Sequence, residues 1–473
     1  EDVKPIVQAG GSDSAALDNV CEVLVRAGRS APMAKALLVP EAWAKQENIM
    51  KPSHMALYAY CNAVMEPWDG PAALAIYDGR WAVAGMDRNG LRPMRYSVTQ
   101  DGILAVGSET GMCPLDGRVI TKKGRVGRGE MLAVDMEKGK LYTHEAIIDK
   151  LASAHPYVKW NSNVVNLEAR IGPGPEPKLY SRQELLRRQV AAGLTLEELE
   201  VVLAPMAEEG KEALGSMGDD SPLAVLSSRY RPLSHFFKQN FSQVTNPPID
   251  PLREERVMSL KTRFKNLGNI LAHEETQQDV FVLDSPALTT GMYDRMVAML
   301  GAGVAFVDCS YEMPEDPDLA GAALREALDR IKAQAEDAVR AGQSQLVLSD
   351  EHQGPGRIAA PMILATGGVH AHLVAKGLRS YCSITVRAAE CVDTHYFAVL
   401  VGVGATCVNA YLAQEAIADR HARGLLGTLT LNQAVVNYKK AVEAGLLKIL
   451  SKMGISVISS YRGGYNFEAL GLS

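Results

Sequence analysis

Four places in the chain hold residues whose types and spacing could do chemistry. After the apolar run QLVLS come Asp350, Glu351 and His352, then Gly354 and Gly356, an acid–base trio followed by a loop able to bring its backbone close to a phosphate. The loop lacks the GxxxxGK motif followed by Ser or Thr, and its glycines make no clean GxGxxG after a strand. His370 and His372 form an HxH pair of potential metal ligands, but spacing supplies no third. Gly402, Gly404 and Asn409 lie in VGVGATCVNAYLAQE, which reads as a strand-to-helix turn and could cradle a phosphate at the helix N-terminus. The fourth place is the stretch from Gly215 to Pro251. There Gly215 and Gly218 flank Ser216 and Met217, and Asp219, Asp220, Ser221 and Pro222 can start a helix or a turn. Tyr230, His235, Phe236, Phe237 and Phe241 then recur as on one helix face, until Asn246-Pro247-Pro248 and Asp250-Pro251 end the pattern. A core helix between two turns has the same pattern.

The elements that must position these residues differ along the chain. From residue 252 onward strand runs (VFVLDS, GVAFVDCS, QLVLSDE, CSITVRAAE) alternate with helical sequence, including the long amphipathic DLAGAALREALDRIKAQAEDAVRAG; MILATGGVHAHLVAKGL and YFAVLVGVGATCVNAYLAQEAIAD continue the alternation. Uninterrupted apolar strands between helices imply a parallel sheet covered on both faces. Its strand ends, Asp284-Ser285, Asp308-Cys309-Ser310, Ser349-Asp350 and Ala389-Glu390, fall where such sheets build their sites.

The earlier half reads as α+β. Ser12 or Asp13 can cap a helix carrying Leu17, Val20, Val23 and Leu24 that ends near Gly28. Asp78-Gly79 and Gln100-Asp101-Gly102 split apolar runs as hairpin turns, and Asp87 to Pro93 is a further turn. MLAVD reads as a strand, with a helix starting at Thr143 or His144; His144 and His155, in or beside amphipathic sequence, read as surface or satisfied histidines. Gly172-Pro173-Gly174-Pro175-Glu176-Pro177 is the clearest linker. Beyond it lie two helices, the second opened by a Thr195–Glu198 capping box. Near the end, Lys448 to Gly454 precede a strand expected to finish at Ser459 to Gly463.

At 473 residues the chain holds two or three domains; 47% hydrophobic and 22% charged residues are the values of a globular protein, and aromatic content is low at 6%. A formal charge of -6 gives nucleic acid no basic footprint. The seven cysteines are scattered without a CxxC pair, which points to reduced thiols rather than a disulfide framework, zinc site or iron–sulfur motif. No stretch approaches the roughly 20 apolar residues of a membrane span, and the start lacks a secretory pattern, so a cytoplasmic location is expected.

The words GSMGDDSPLAVLS, PLSHFFKQNFSQVTNPPIDPLRE and LLKILSKMGISVISSYRG resemble the central domain of glutamate synthase large subunits, and the resemblance runs in order along nearly the whole chain. In that family an amidotransferase domain releases ammonia from glutamine, and a distant flavin site consumes it with 2-oxoglutarate to give two glutamates. The Ser12-Asp13-Ser14 motif and the strand-rich part after it resemble the C-terminal portion of an N-terminal-nucleophile amidotransferase, whose matching Asp receives the α-ammonium of glutamine. The resemblance thus implies two units: residues 1–162, part of a class II amidotransferase sandwich, and residues 163–473, a central α/β domain with parallel strands resembling a degenerate (β/α) barrel that has lost its cofactor. It implies Asp13 as a substrate-binding residue. It also implies Met217, Gly218, Thr245 and Asn246 as the border of the synthase site or the ammonia tunnel.

Such glutaminases attack with an N-terminal cysteine whose α-amine is the base. Residue 1 here is Glu, so no catalytic residue and no glutamine hydrolysis are expected of this stretch alone. No cofactor or metal is expected within it; FMN and an iron–sulfur cluster are implied for the complete enzyme. The implied partners are the remainder of the large subunit with its flavin barrel, an electron-donating small subunit or ferredoxin, and the substrates glutamine and 2-oxoglutarate. Two other classes remain: an independent flavin- or sugar-phosphate-binding barrel-type enzyme, and a non-catalytic binding scaffold.

Overall fold

The computed structural model describes residues 5–8, 10–43, 49–68, 70–172, 180–213, 223–241, 257–265, 269 and 271–472. The first half is built from α1 (Asp13–Arg26), α2 (Ala31–Leu38) and α3 (Pro52–Val64), then strands β1 (Ala73–Tyr77), β2 (Trp81–Met86), β3 (Arg95–Thr99), β4 (Leu104–Gly107), β5 (Ile120–Arg125), β6 (Met131–Asp135) and β7 (Lys140–Tyr142), and finally α4 (His144–Ala152) and α5 (Tyr157–Asn161). Two antiparallel sheets result, in the orders β1-β2-β6-β7 and β4-β3-β5. Ser12, not Asp13, caps α1 by accepting the Ala15 N–H. Asp78-Gly79 turns the β1–β2 hairpin as the sequence suggests, with Gly79 at φ +95°. The core joins Leu24, Leu37, Leu57 and Ile147 from the helices to Val83 and Ala133 from the first sheet.

The second half centres on a four-stranded parallel sheet, ordered β12 (Val304–Asp308), β14 (Gln345–Ser349), β16 (Ser383–Arg387) and β17 (Cys407–Asn409). Every residue of β14, β16 and β17 is buried, as a sheet covered on both faces requires. The covering helices Ala320–Arg340, Met362–Ala375, Thr394–Gly402 and Leu431–Met453 bring Ile331, Val369, Phe397 and Leu446 into one core with Leu346 and Ile384. Ahead of them, β8 (Val165–Asn166), which leads into α6 (Leu167–Ile171), pairs in parallel with β11 (Phe281–Leu283), and β10 (Thr262–Phe264) pairs with β11 from the other side. The helix α7 (Arg182–Ala191) is followed by the Thr195–Glu198 capping box, in which the Glu198 side chain accepts the Thr195 N–H and Thr195 Oγ1 accepts the Glu198 N–H.

Three sequence expectations fail for identifiable reasons. The aromatic run from Tyr230 is not an α-helix: Leu233–Phe236 is a 3-10 turn and β9 (Phe237–Gln239) pairs antiparallel with β18 (Phe467–Ala469), a partner over 200 residues away that no local pattern reveals. YFAVLVG is not a strand but the helix Thr394–Gly402, started by Asp393, whose carboxylate accepts the Tyr396 N–H. VGVGA therefore runs from helix to strand. Near the end, Val457 makes only an isolated bridge to Ser259 before the short helix Ile458–Tyr461 replaces the expected strand. The linker's Pro173 to Pro177 lies outside the described residues.

The two halves meet along an aromatic seam. Tyr60 donates a hydrogen bond to Gln277 (2.5 Å), Tyr157 Oη lies 2.5 Å from His273 Nε2, and the Arg29 guanidinium donates to the Ala272 carbonyl. The His273 ring stacks on Tyr60 and lies 4.1 Å from His155. Burial, with Arg29 and His155 adding to it, pushes the His273 imidazole down to about 3, so it stays neutral.

Close approach at Gly404 gives the fold a direct check. Gly404 has φ +119°, and a Cβ there would stand 2.3 Å from the His370 ring, which Arg379 pins through a 3.0 Å hydrogen bond. Gly404→Ala should therefore add overpacking of about 1–3 kcal/mol to a backbone strain of roughly 1–2 kcal/mol. Gly79→Ala, where a Cβ would meet open space, should incur the backbone strain alone. Urea denaturation of both variants measures the difference.

Candidate functional site

Where the ladder of the parallel sheet runs out, the chain turns at Asp350 after β14 and at Ala388–Glu390 after β16, and a pocket of about 360 Å³ opens between these turns and α7. Asp350 lies on its floor, 1% exposed. Its Oδ2 accepts the Ala389 N–H at 2.8 Å; its Oδ1 has no hydrogen-bond partner among the described residues. Glu390 lies beside it, with Oε1 accepting the Met362 N–H at the start of a helix. The rim is basic. Arg187 and Arg188 come from α7, and Arg357 comes from β15 (Arg357–Ala359), which pairs with β13 (Ser310–Glu312).

Electrostatics separates three neighbouring carboxyls. Burial pushes Asp350 up to about 7, against the opposing pull of the Ala389 N–H. Glu390 is raised by burial as well. Burial also works against the Glu351 carboxylate, but Arg387 outweighs it and holds the pKa below the ordinary value. The Arg387 Nε and Nη2 atoms sit 2.8 and 3.0 Å from Glu351, Nη1 donates to Asn409 at 2.6 Å, and the guanidinium lies between the Tyr293 and Tyr411 rings at 4.7 and 4.6 Å. Arg387 is thus fully committed.

The trio expected from sequence is therefore split. Asp350 and Gly354 line the pocket, Glu351 is an ion-pair partner, and His352 points outward with its side chain 71% exposed. Asp308 pairs with Arg357 at 3.1 Å and so supports the rim. His370 accepts from Arg379, and His372 lies 2.6 Å from Glu336, so each imidazole has another task. Among the described residues no group of three or more His, Cys, Asp or Glu side chains is arranged to hold a metal ion. The glycine turn cannot cradle a phosphate, because Phe467 packs where a Gly402 Cβ would be and His370 occupies the same position at Gly404. Neither that turn nor the separated cysteines fit a flavin phosphate or an iron–sulfur cluster.

In the first half, Asp13 is exposed in the first turn of α1 and accepts the Ser14 N–H at 2.8 Å, which leaves it further acceptor positions. Asp87, in the turn read from sequence, takes the Gly90 and Ala72 N–H groups at 2.6 and 3.0 Å. His144 accepts from Met131 and lies 3.0 Å from Glu41. Met217, Gly218, Thr245 and Asn246 lie outside the described residues. Sequence reasoning missed Arg187, Arg188 and Arg357: in LLRRQ and GRIAA they look like solvated charges, and only the fold aims them at one opening.

Residues 187–473 match the glutamate synthase central domain model, and residues 1–160 match the class-II glutamine amidotransferase model. Across its whole length the chain is 57% identical to the large chain of an NADPH glutamate synthase from Azospirillum brasilense, covering 31% of that protein. It is 40% identical to a ferredoxin-dependent chloroplastic glutamate synthase of Spinacia oleracea and 38% identical to an NADPH glutamate synthase large chain of Bacillus subtilis, covering 30% of each. The chain thus spans under a third of the curated relatives it matches. Among solved structures, a mutant flavocytochrome b2 with pyruvate bound aligns at 11% identity over 61% of this chain and 92% of its own, with a TM-score of 0.33. Among the described residues no helix is long and apolar enough to cross a membrane.

The raised pKa of Asp350 sets a pH dependence of stability. The folded state binds this proton more tightly than the unfolded chain, so its contribution is complete below the ordinary carboxylate pKa and is lost as pH rises through about 7. Asp350→Asn keeps the acceptor for Ala389 and removes the titration. Between pH 4.5 and 7.5 the natural chain should lose on the order of 2–3 kcal/mol relative to the variant, read from urea midpoints at the two pH values.

Proposed function

Because the chain belongs to the glutamate synthase central domain family, we propose that it forms the middle of a glutamate synthase, which moves the amide nitrogen of glutamine onto 2-oxoglutarate to give two glutamates. The observation that carries this is the order of the matches, an amidotransferase unit and then the central domain, with identity to the relatives running from end to end. We place the division between residues 162 and 163. In support, β8 pairs with β11, so the chain beyond that point packs with the second core.

In this reading residues 1–162 supply part of the glutaminase pocket, and Asp13 receives the α-ammonium of glutamine; a carboxylate with open acceptor positions at a helix start suits that task. Residues 163–473 form a central domain akin to a degenerate (β/α) barrel. The parallel bridge of Ala287 to Val408, which carries the β11 segment towards β17, supports that likeness. The domain separates two active sites and walls a passage for ammonia, with Met217, Gly218, Thr245 and Asn246 assigned to the border of the synthase site or of that passage. The physical demand is dryness: in water at neutral pH ammonia is mostly ammonium, a poor nucleophile, and an enclosed passage keeps it neutral. FMN, an iron–sulfur cluster and an electron-donating subunit or ferredoxin belong to other parts of the enzyme, in a cytoplasmic setting.

Asp13→Ala, made in the complete enzyme that carries this chain, tests the reading. Losing a hydrogen bond between charged groups should lower glutamine-dependent kcat/KM by about 10- to 100-fold and leave glutamate formation from added ammonia unchanged. An equal fall in both rates, or in neither, overturns the assignment.

A further inference from the structure

We infer that the pocket over the ends of β14 and β16 binds a small zwitterion of the amino-acid class, with its ammonium group against Asp350 and its carboxylate at the rim on Arg187 and Arg357. The glutamate synthase reading gives this pocket no task.

The floor carries acid, and the cation that acts on it, Arg387, is bonded to other groups. Asp350 is buried, and one of its two oxygens has no hydrogen-bond partner among the described residues, an arrangement that is unfavourable unless something completes it. The groups that face it do not. Arg387, from β16, is held by Glu351 and Asn409. Tyr411, from the helix Tyr411–Ala422, faces the carboxyl and draws its pKa down, but brings no positive charge. Glu390 adds a second acid, and the nearby Cys309 and Cys391 are buried thiols whose pKa values burial raises, so they stay neutral. No lysine lines the pocket among the described residues.

The rim carries the opposite charge with donors to spare. Arg187 gives Nε and Nη2 to Glu184, and its Nη1 stands beside Gly354, 3.4 Å from where a Cβ would be. Arg357 spends Nε and Nη2 on Ser310 and Asp308, and its Nη1 has no hydrogen bond among the described residues. Both side chains are 41% exposed, close enough to solvent to admit a ligand. Ala191, Ala192 and Pro361 give apolar walls between the two layers, and about 360 Å³ falls within the range of small-molecule pockets, roughly 300–1,000 Å³. A simple amine would leave the guanidiniums unused, and a simple carboxylate would leave Asp350 unanswered. A molecule with both charges satisfies both layers.

The choice has a pH signature. An ammonium group selects the ionised Asp350, so binding releases a proton and tightens between pH 6 and 8; a carboxylate that accepts a hydrogen bond from protonated Asp350 would weaken over the same range.

The test uses this chain carrying Asp13→Ala, which silences the glutamine pocket proposed above. The twenty standard L-amino acids are screened by melting shift, and each hit is titrated by calorimetry against its 2-oxo acid, which differs only in lacking the ammonium group. We expect at least one amino acid to bind one site per chain, tenfold or more tighter than its 2-oxo acid and tighter at pH 8 than at pH 6. Asp350→Asn and Arg187→Ala should each weaken it tenfold or more, with the fold of each variant verified by its melting curve. The proposal is overturned by equal binding of amino acid and 2-oxo acid, by indifference to either substitution, or by no hit at about 10 mM, where even a millimolar site would be filled. None of these failures touches the glutamate synthase reading, whose own test lies at Asp13.

Discussion

The hydrogen bond from the Ala389 N–H to Asp350 Oδ2 at 2.8 Å joins the two strand ends on which the pocket depends. The parallel ladder pairs Ser349 with Arg387 at its last step, and beyond that step the backbones have no regular partner. With every residue of β14 and β16 buried, polar side chains can collect only at the edge. Asp350 supplies an acceptor there from the floor, and in doing so it is carried out of water. Its proton affinity follows from that position.

The contrast with Glu351 shows how sharply placement decides chemistry. The two carboxyls are adjacent in sequence, but successive side chains leave a strand end on opposite sides. Glu351 meets Arg387, which two tyrosine rings and Asn409 hold in position, and it remains ionised. Asp350 lines the cavity, and the cation that acts on it, Arg387, is held by Glu351.

Local signals made part of this legible. Asp78-Gly79 marked a hairpin, Thr195 and Glu198 a helix start, and the runs GVAFVDCS, QLVLSDE and CSITVRAAE the sheet strands, because each depends on neighbours a few residues away. The strand ends therefore pointed to Asp350 and Glu390. What stayed hidden was non-local. Phe237 to Gln239 became a strand only through Phe467 to Ala469, and Arg187 and Arg357 reached one rim from elements 170 residues apart in sequence. Pattern could not distinguish Asp350 from Glu351 either, since their partners arrive from other strands and helices.

The two halves are joined by polar and aromatic contacts rather than by a continuous core: Tyr60 on Gln277, Tyr157 on His273 and Arg29 on the Ala272 carbonyl. The pocket lies wholly within the second half, and its character rests on the state of one carboxyl. Carbon-13 NMR of the chain labelled at aspartate Cγ measures that state, with the resonance assigned by its disappearance in Asp350→Asn. A titration midpoint near 7 is what the account requires; a midpoint below about 4.5, the range of an ordinary solvated carboxylate, would contradict it.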